Sequence, residues 1–160
     1  MKHGAKRGFT LIELVVTVAI IALLASGVLP LAERVVQRSR DQELQSALRD
    51  IRTAIDAYKQ AGEAGHLVRK AGTSGYPPNL NILVDGVFDA QDPDGKKRIF
   101  FLRRIPRDPT FADPAVPNEE TWGLRSYSST ADAPEAGEDV FDVYSLSLAV
   151  GVNGIPYREW

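Results

Sequence analysis

The sequence predicts an α+β chain: a long N-terminal helix whose rear half packs on a small head of one short helix and about three antiparallel strands. Three observations carry this. Residues 9–32 are almost wholly apolar. Residues 33–61 hold no proline or glycine and place apolar side chains at helical spacing. From Gly62 onward, glycine- and proline-rich stretches separate short β-branched and aromatic runs. The 160 residues, 44% hydrophobic and 25% charged, suit one small globular unit and are too apolar for a wholly disordered chain.

The first element is the stretch Phe9 to Ala32, FTLIELVVTVAIIALLASGVLPLA, interrupted by one charge, Glu13. At about 1.5 Å per residue it makes a rod of roughly 36 Å, enough for a hydrocarbon core of about 30 Å. Lys2, Lys6 and Arg7 precede it. A basic start before an apolar run places the N-terminus in the cytoplasm and the rest of the chain across the membrane. A cleaved secretory signal, with Ala25-Ser26-Gly27 as its small residues, and a simple anchor both fit this pattern. Neither accounts for Glu13, because a charge deep in an apolar segment costs a few kcal/mol and is usually functional.

The second element continues the helix to Ala61. Leu44, Leu48, Ile51, Ile55 and Tyr58 follow at spacings of four and three, one apolar stripe, with Arg52 and Asp56 offering an i, i+4 pair on another face. Gly62 and Gly65 supply the stop. Phe9 to Ala61 would span about 80 Å if straight. Pro30 cannot donate to the carbonyl of Ser26, which predicts a kink there.

The head follows. Residues 62–75 read as an irregular connection, with His66 alone at the surface. Leu80 to Val84 form a short helix ended by Asp85-Gly86. Asp92-Pro93-Asp94-Gly95 is a turn. Strands are predicted over 98–105, 122–129 and 139–147, and Asn153-Gly154 marks a last turn.

Composition narrows function. A net charge of −2 without a basic excess argues against nucleic acid as a partner. The absence of cysteine removes disulfides, thiolate metal sites and a cysteine nucleophile, and two histidines, His3 and His66, cannot build a multi-histidine metal cage. No Ser/His/Asp set and no phosphate-binding glycine loop is evident, so the chain reads as no enzyme.

The block Gly8-Phe9-Thr10-Leu11-Ile12-Glu13, behind its short basic leader, resembles the processing and assembly signal of type IV pilins and type II secretion pseudopilins. The resemblance implies a leader, 1–8, that a membrane prepilin peptidase cuts off after Gly8, with N-methylation of Phe9. It implies a transmembrane and assembly segment, 9–32, that survives processing, and a periplasmic pilin-like head, 33–160. Removing Lys2, Lys6 and Arg7 leaves 16 basic against 21 acidic side chains, a formal −5, and bares a positive amine at Phe9. Glu13 beside the amine of a neighbouring subunit then acts as a register device. Two unit charges about 4 Å apart attract by roughly 4 kcal/mol at an effective dielectric near 20, less the cost of desolvation. Glu13 protonated and merely tolerated remains the competing reading. For Pro30 the resemblance adds an alternative to the kink, a stretch that gives up helical order when subunits pack.

Tyr76-Pro77-Pro78, the run Phe101 to Pro109, Trp122 to Tyr127 and the segment Asn153 to Trp160 look like the major, G-type, pseudopilin of type II secretion. That implies a homopolymeric periplasmic pseudopilus, with minor pseudopilins, the prepilin peptidase, the inner-membrane assembly platform with its ATPase, and membrane lipids as partners. It also implies calcium in a loop rich in Asp and Gly. Here the loop, Leu148 to Gly154, has no carboxylate, so no such calcium site and no other cofactor is expected, although Glu138, Asp139, Asp142 and Asn153 could lend some oxygens. Two readings stay open beside the pseudopilin: a type IV pilus major or minor pilin, and a membrane-anchored periplasmic enzyme or binding domain.

Overall fold

The computed structural model describes residues 9–69 and 72–160, without the side chains of 26–32. It contains two compact units, Met1–Arg38 and Ser39–Trp160. Helix α1, Leu11–Glu63, enters both. The second unit adds α2 (Asn81–Asp85) and four short strands, β1 (Val87–Phe88), β2 (Arg98–Ile99), β3 (Trp122–Arg125) and β4 (Asp142–Ser145), with 3-10 turns at Asn118–Thr121 and Tyr157–Glu159. The predicted α+β class, a long helix with a small head of one short helix and a few antiparallel strands, is what the chain adopts.

α1 stops where glycine allows it. The His66 amide donates to the Ala61 carbonyl at 2.9 Å and the Gly65 amide to Gly62 at 3.3 Å, while Gly65 sits at φ 81°. This closes two of the last carbonyls through a left-handed residue that glycine takes without a Cβ penalty.

The predicted stripe is the spine of the core. Leu44, Leu48, Ile51 and Ile55 are buried, and Tyr58, half-buried, meets Phe101 edge-on at 5.4 Å. Leu80, Leu83, Ile105, Trp122, Val140, Val143 and Tyr157 cover them. Each buried Leu or Ile is worth about 1.5–3 kcal/mol over the exposed state.

The strands are shorter than the sequence predicts and form two antiparallel pairs, β1 with β2 and β3 with β4. The run 98–105 leaves its ladder after Ile99, because the amides of Phe101 and Leu102 both donate to the Leu83 carbonyl of α2, at 3.0 and 2.9 Å. The 122–129 run turns off at Ser126, whose amide goes to Glu135. In the 139–147 run the Val140 amide is taken by the Pro77 carbonyl before pairing begins. Opposite Tyr144, Gly123 leaves room for the tyrosine ring, which a Cβ at that position would force to move.

Polar ties lock the loops to this frame. Arg52 does not pair with Asp56. Its Nε meets Asp142 Oδ1 at 2.7 Å, and its Nη2 donates to the main-chain oxygens of Val143 at 3.1 Å and Trp160 at 2.7 Å. Arg125 holds the other Asp142 oxygen at 3.1 Å. The Asp92 turn forms as predicted: the Asp92 carboxylate accepts the amides of Lys97 and Lys96 at 2.7 and 2.8 Å, which holds its pKa below the usual carboxylate value.

His66 sits partly exposed, as expected for a surface residue, but it is not alone. Its Nδ1 lies 2.9 Å from Oδ1 of the buried Asp89, whose Oδ2 accepts from Lys97 Nζ at 2.9 Å. The bond from His66, then those from Lys97 and from the Gln91 amide, push the Asp89 carboxyl well below its ordinary value.

Two outcomes follow. Ile51→Ala should cost about 2–5 kcal/mol in denaturant unfolding followed by tryptophan fluorescence, whereas the exposed Val36→Ala should stay within about 0.5 kcal/mol of the parent. Asp89 has a depressed folded pKa, so its contribution is full above the unfolded aspartate value near ~4 and is lost as pH falls through the folded value. Thermal unfolding of parent and Asp89→Asn between neutral pH and pH ~2 should therefore show a gap that is widest at neutral pH and narrows on acidification. An undiminished gap in acid contradicts the assignment.

Candidate functional site

The site begins at the first turn of α1. The Thr10 hydroxyl accepts the Glu13 amide at 3.3 Å and the Thr10 carbonyl accepts the Leu14 amide at 3.1 Å. Thr10 is thus the N-cap and Glu13 the third helical residue, the Thr-x-x-Glu spacing of a capping box. One turn on, the Thr17 hydroxyl donates to the Glu13 carbonyl at 2.6 Å. Among the described residues the Glu13 carboxylate itself has neither a hydrogen-bond nor an ion-pair partner.

Around that carboxylate the helix is apolar on every side. All residues from 11 to 25 are exposed, including Leu11, Ile12, Leu14, Val15, Val16, Val18, Ile20, Ile21, Leu23 and Leu24. A helix that is hydrophobic all round belongs in a protein interior or a membrane. Phe9, just ahead of it, is 81% exposed.

Among the described residues no helix is long and apolar enough to cross a membrane. The described apolar stretch, 11–25, rises only about 22 Å at 1.5 Å per residue. The span expected over 9–32 draws in 26–32, whose side chains lie outside the description.

The predicted site residues fall as follows. Gly8 lies outside the described residues. Phe9 stands exposed immediately before α1, and Glu13 projects from its first turn. Residue 30 lies within the helical span Leu11–Glu63, with its side chain outside the description, so the kink expected at Pro30 falls there too. Sequence reasoning missed the Thr10 cap, although its spacing to Glu13 was visible.

Three of the four side chains named for calcium in the head, Asp139, Asp142 and Asn153, hold donors of the chain itself. Asp139 Oδ1 accepts the Tyr127 amide at 2.8 Å and its Oδ2 accepts the Ser74 hydroxyl. Asp142 is held between Arg52 and Arg125. Asn153 Oδ1 accepts the Ile155 amide at 3.0 Å. Among the described residues no group of three or more His, Asp or Glu side chains is placed to hold a metal.

One open cleft of about 650 Å³ lies in the head, lined by Tyr58, Arg69, Ser74, Tyr76, Tyr127 and Asp139 among others. Of its serines, Ser74 donates its hydroxyl to Asp139, and Ser126 and Ser128 pair their hydroxyls at 2.8 Å.

Residues 4–29 match the family described as the prokaryotic N-terminal methylation motif. The chain is similar to the type IV major alpha-pilin of Moraxella bovis, 36% identical over 71 residues, which are 44% of this chain and 45% of that protein. It thus spans less than half the length of that relative. It is also similar to the type II secretion system core protein G of Klebsiella michiganensis, 24% identical over 148 residues, 92% of this chain and 99% of that protein. No solved structure gives a significant match. A capped, exposed apolar helix front whose carboxylate has no partner among the described residues coincides with the methylation motif, and the chain is similar to a type IV pilin over its front part and to a type II secretion core protein over nearly its whole length.

Proposed function

We propose that this chain is a structural subunit that polymerises into the periplasmic pseudopilus of a type II secretion system, where the growing fibre drives folded proteins across the outer membrane. The observation that carries the reading is the bare front of α1: an all-round apolar helix whose one charge, Glu13, has no partner among the described residues. Copies of the same helix cover the apolar surface and bring a cation to the acid. The similarity to the core protein G over 99% of its length supports the secretion role over a pilus role.

In this reading the precursor sits in the inner membrane with its head in the periplasm. A prepilin peptidase hydrolyses the amide between Gly8 and Phe9 and the new amine of Phe9 is methylated. The amine of one subunit then faces Glu13 of the next, which fixes the axial offset between them. Pro30 serves as the point where the packed helix adjusts. Minor pseudopilins, the inner-membrane platform with its ATPase, and membrane lipids complete the partners, and nucleic acid has no place among them. The subunit performs no catalysis and needs no cofactor.

The test is expression of the full chain with a prepilin peptidase, mass spectrometry of the mature N-terminus, and quantification of sedimentable fibres. The parent should begin at Phe9 with an added methyl group. Glu13→Ala should be processed yet assemble about tenfold less or worse, which corresponds to about 1.4 kcal/mol lost per contact. A product that begins near residue 27, or a processed Glu13→Ala chain that assembles like the parent, contradicts the reading.

A further inference from the structure

The loop in which the family resemblance implies calcium is closed here by other means. Residues 148–157 form a small hairpin. The Tyr157 amide donates to the Ala149 carbonyl at 3.1 Å, the Gly151 amide to Ile155 at 3.0 Å and the Gly154 amide to Gly151 at 2.9 Å, with Val150 and Pro156 bridged. Trp160 packs over the hairpin. Its ring lies so close to Gly151 that a Cβ there would collide with it, it meets Tyr157 edge-on at 5.0 Å, and its Nε1 donates to the Ile155 carbonyl at 3.2 Å.

What ties this hairpin to the helix is Asp41. The side chain leaves α1 three residues before the first core leucine, Leu44, and is 8% exposed. Its Oδ2 accepts the Val152 amide at 2.9 Å and its Oδ1 accepts the Tyr157 hydroxyl at 2.6 Å. Charge-assisted bonds of this kind are shorter and about twice as strong as neutral ones. A bound cation would organise such a loop by drawing its oxygens inward. Here an anion supplied by the helix draws in N–H and O–H donors at both ends of the hairpin tip. The loop itself carries no carboxylate, and acidic side chains beside Asp41 would repel it.

We propose that the Asp41 carboxylate takes the place of a divalent cation in closing the 148–157 hairpin onto α1, so that the head of this chain holds its fold without calcium.

The test uses the full chain in detergent, with thermal unfolding and amide hydrogen exchange read together. Adding excess EDTA or millimolar calcium chloride should leave the parent's Tm and the exchange of 148–157 unchanged. Asp41→Asn should lower Tm by about 5–10 °C and speed exchange at Val152, and calcium chloride should not restore either. Tyr157→Phe deletes one hydroxyl and keeps the ring. It should give a smaller fall with faster exchange confined to 148–157, and it carries the test if Asp41→Asn does not fold. A parent that calcium stabilises and EDTA destabilises overturns the proposal. So does unchanged exchange at 148–157 in both variants.

Discussion

An apolar helix surface has to be covered, and α1 carries two such surfaces with different fates. Over residues 44–58 the apolar side chains form one stripe, and the head lies on it. Over residues 11–25 they run around the whole helix, and all of them are exposed. At about 25 cal/mol per Å² of apolar surface removed from water, covering the second surface would be strongly favourable. Folding of a single chain uses the rear stripe, and in the proposed fibre association uses the front. The contrast between a stripe and a full cylinder separates a helix made for a core from one made for a bilayer or a bundle.

The head depends on α1 more than its own strands suggest. Two-stranded pairs of two or four residues have no independent stability in water. They are held because α1 reaches into the loops with charged side chains as well as apolar ones. Arg52 gathers Asp142, Val143 and Trp160, and Asp41 gathers Val152 and Tyr157. Both ends of the last ordered segment are therefore fastened to the helix by charge-assisted bonds. Removing one partner of such a tie leaves a charge with lost bonds, which is why ties of this kind are costly to break.

Much of this was legible in the sequence, and the exceptions have physical reasons. The stripe Leu44, Leu48, Ile51, Ile55 could be read because burial follows the helical period. The turn at Asp92 and the stop after Gly62 could be read because turns and helix ends are local. Strand lengths could not. The 98–105 run has strand composition, yet its amides at 101 and 102 are claimed by Leu83 of a neighbouring element. Asp56 offers Arg52 a near partner, but exposed i, i+4 pairs are worth only a few tenths of a kcal/mol and yield to a partner 90 residues away. His66 looked solitary for the same reason, its aspartate being 23 residues on. Asp41 passed as one of several polar residues on the far faces of the helix. At the front, the motif from Gly8 to Glu13 was visible at once because it is local, and its chemistry depends on other molecules.

The central claim is that the exposed front of α1 is covered by copies of itself, with Glu13 facing the amine of a neighbour's Phe9. Electron cryo-microscopy of fibres assembled from the processed chain tests this most directly. The account predicts a fibre core built of residues 9–32, with each Glu13 carboxylate within hydrogen-bonding distance of an N-terminal nitrogen from an adjacent subunit. A fibre with Glu13 turned away from every neighbouring amine, or a core built from the heads instead, would contradict it.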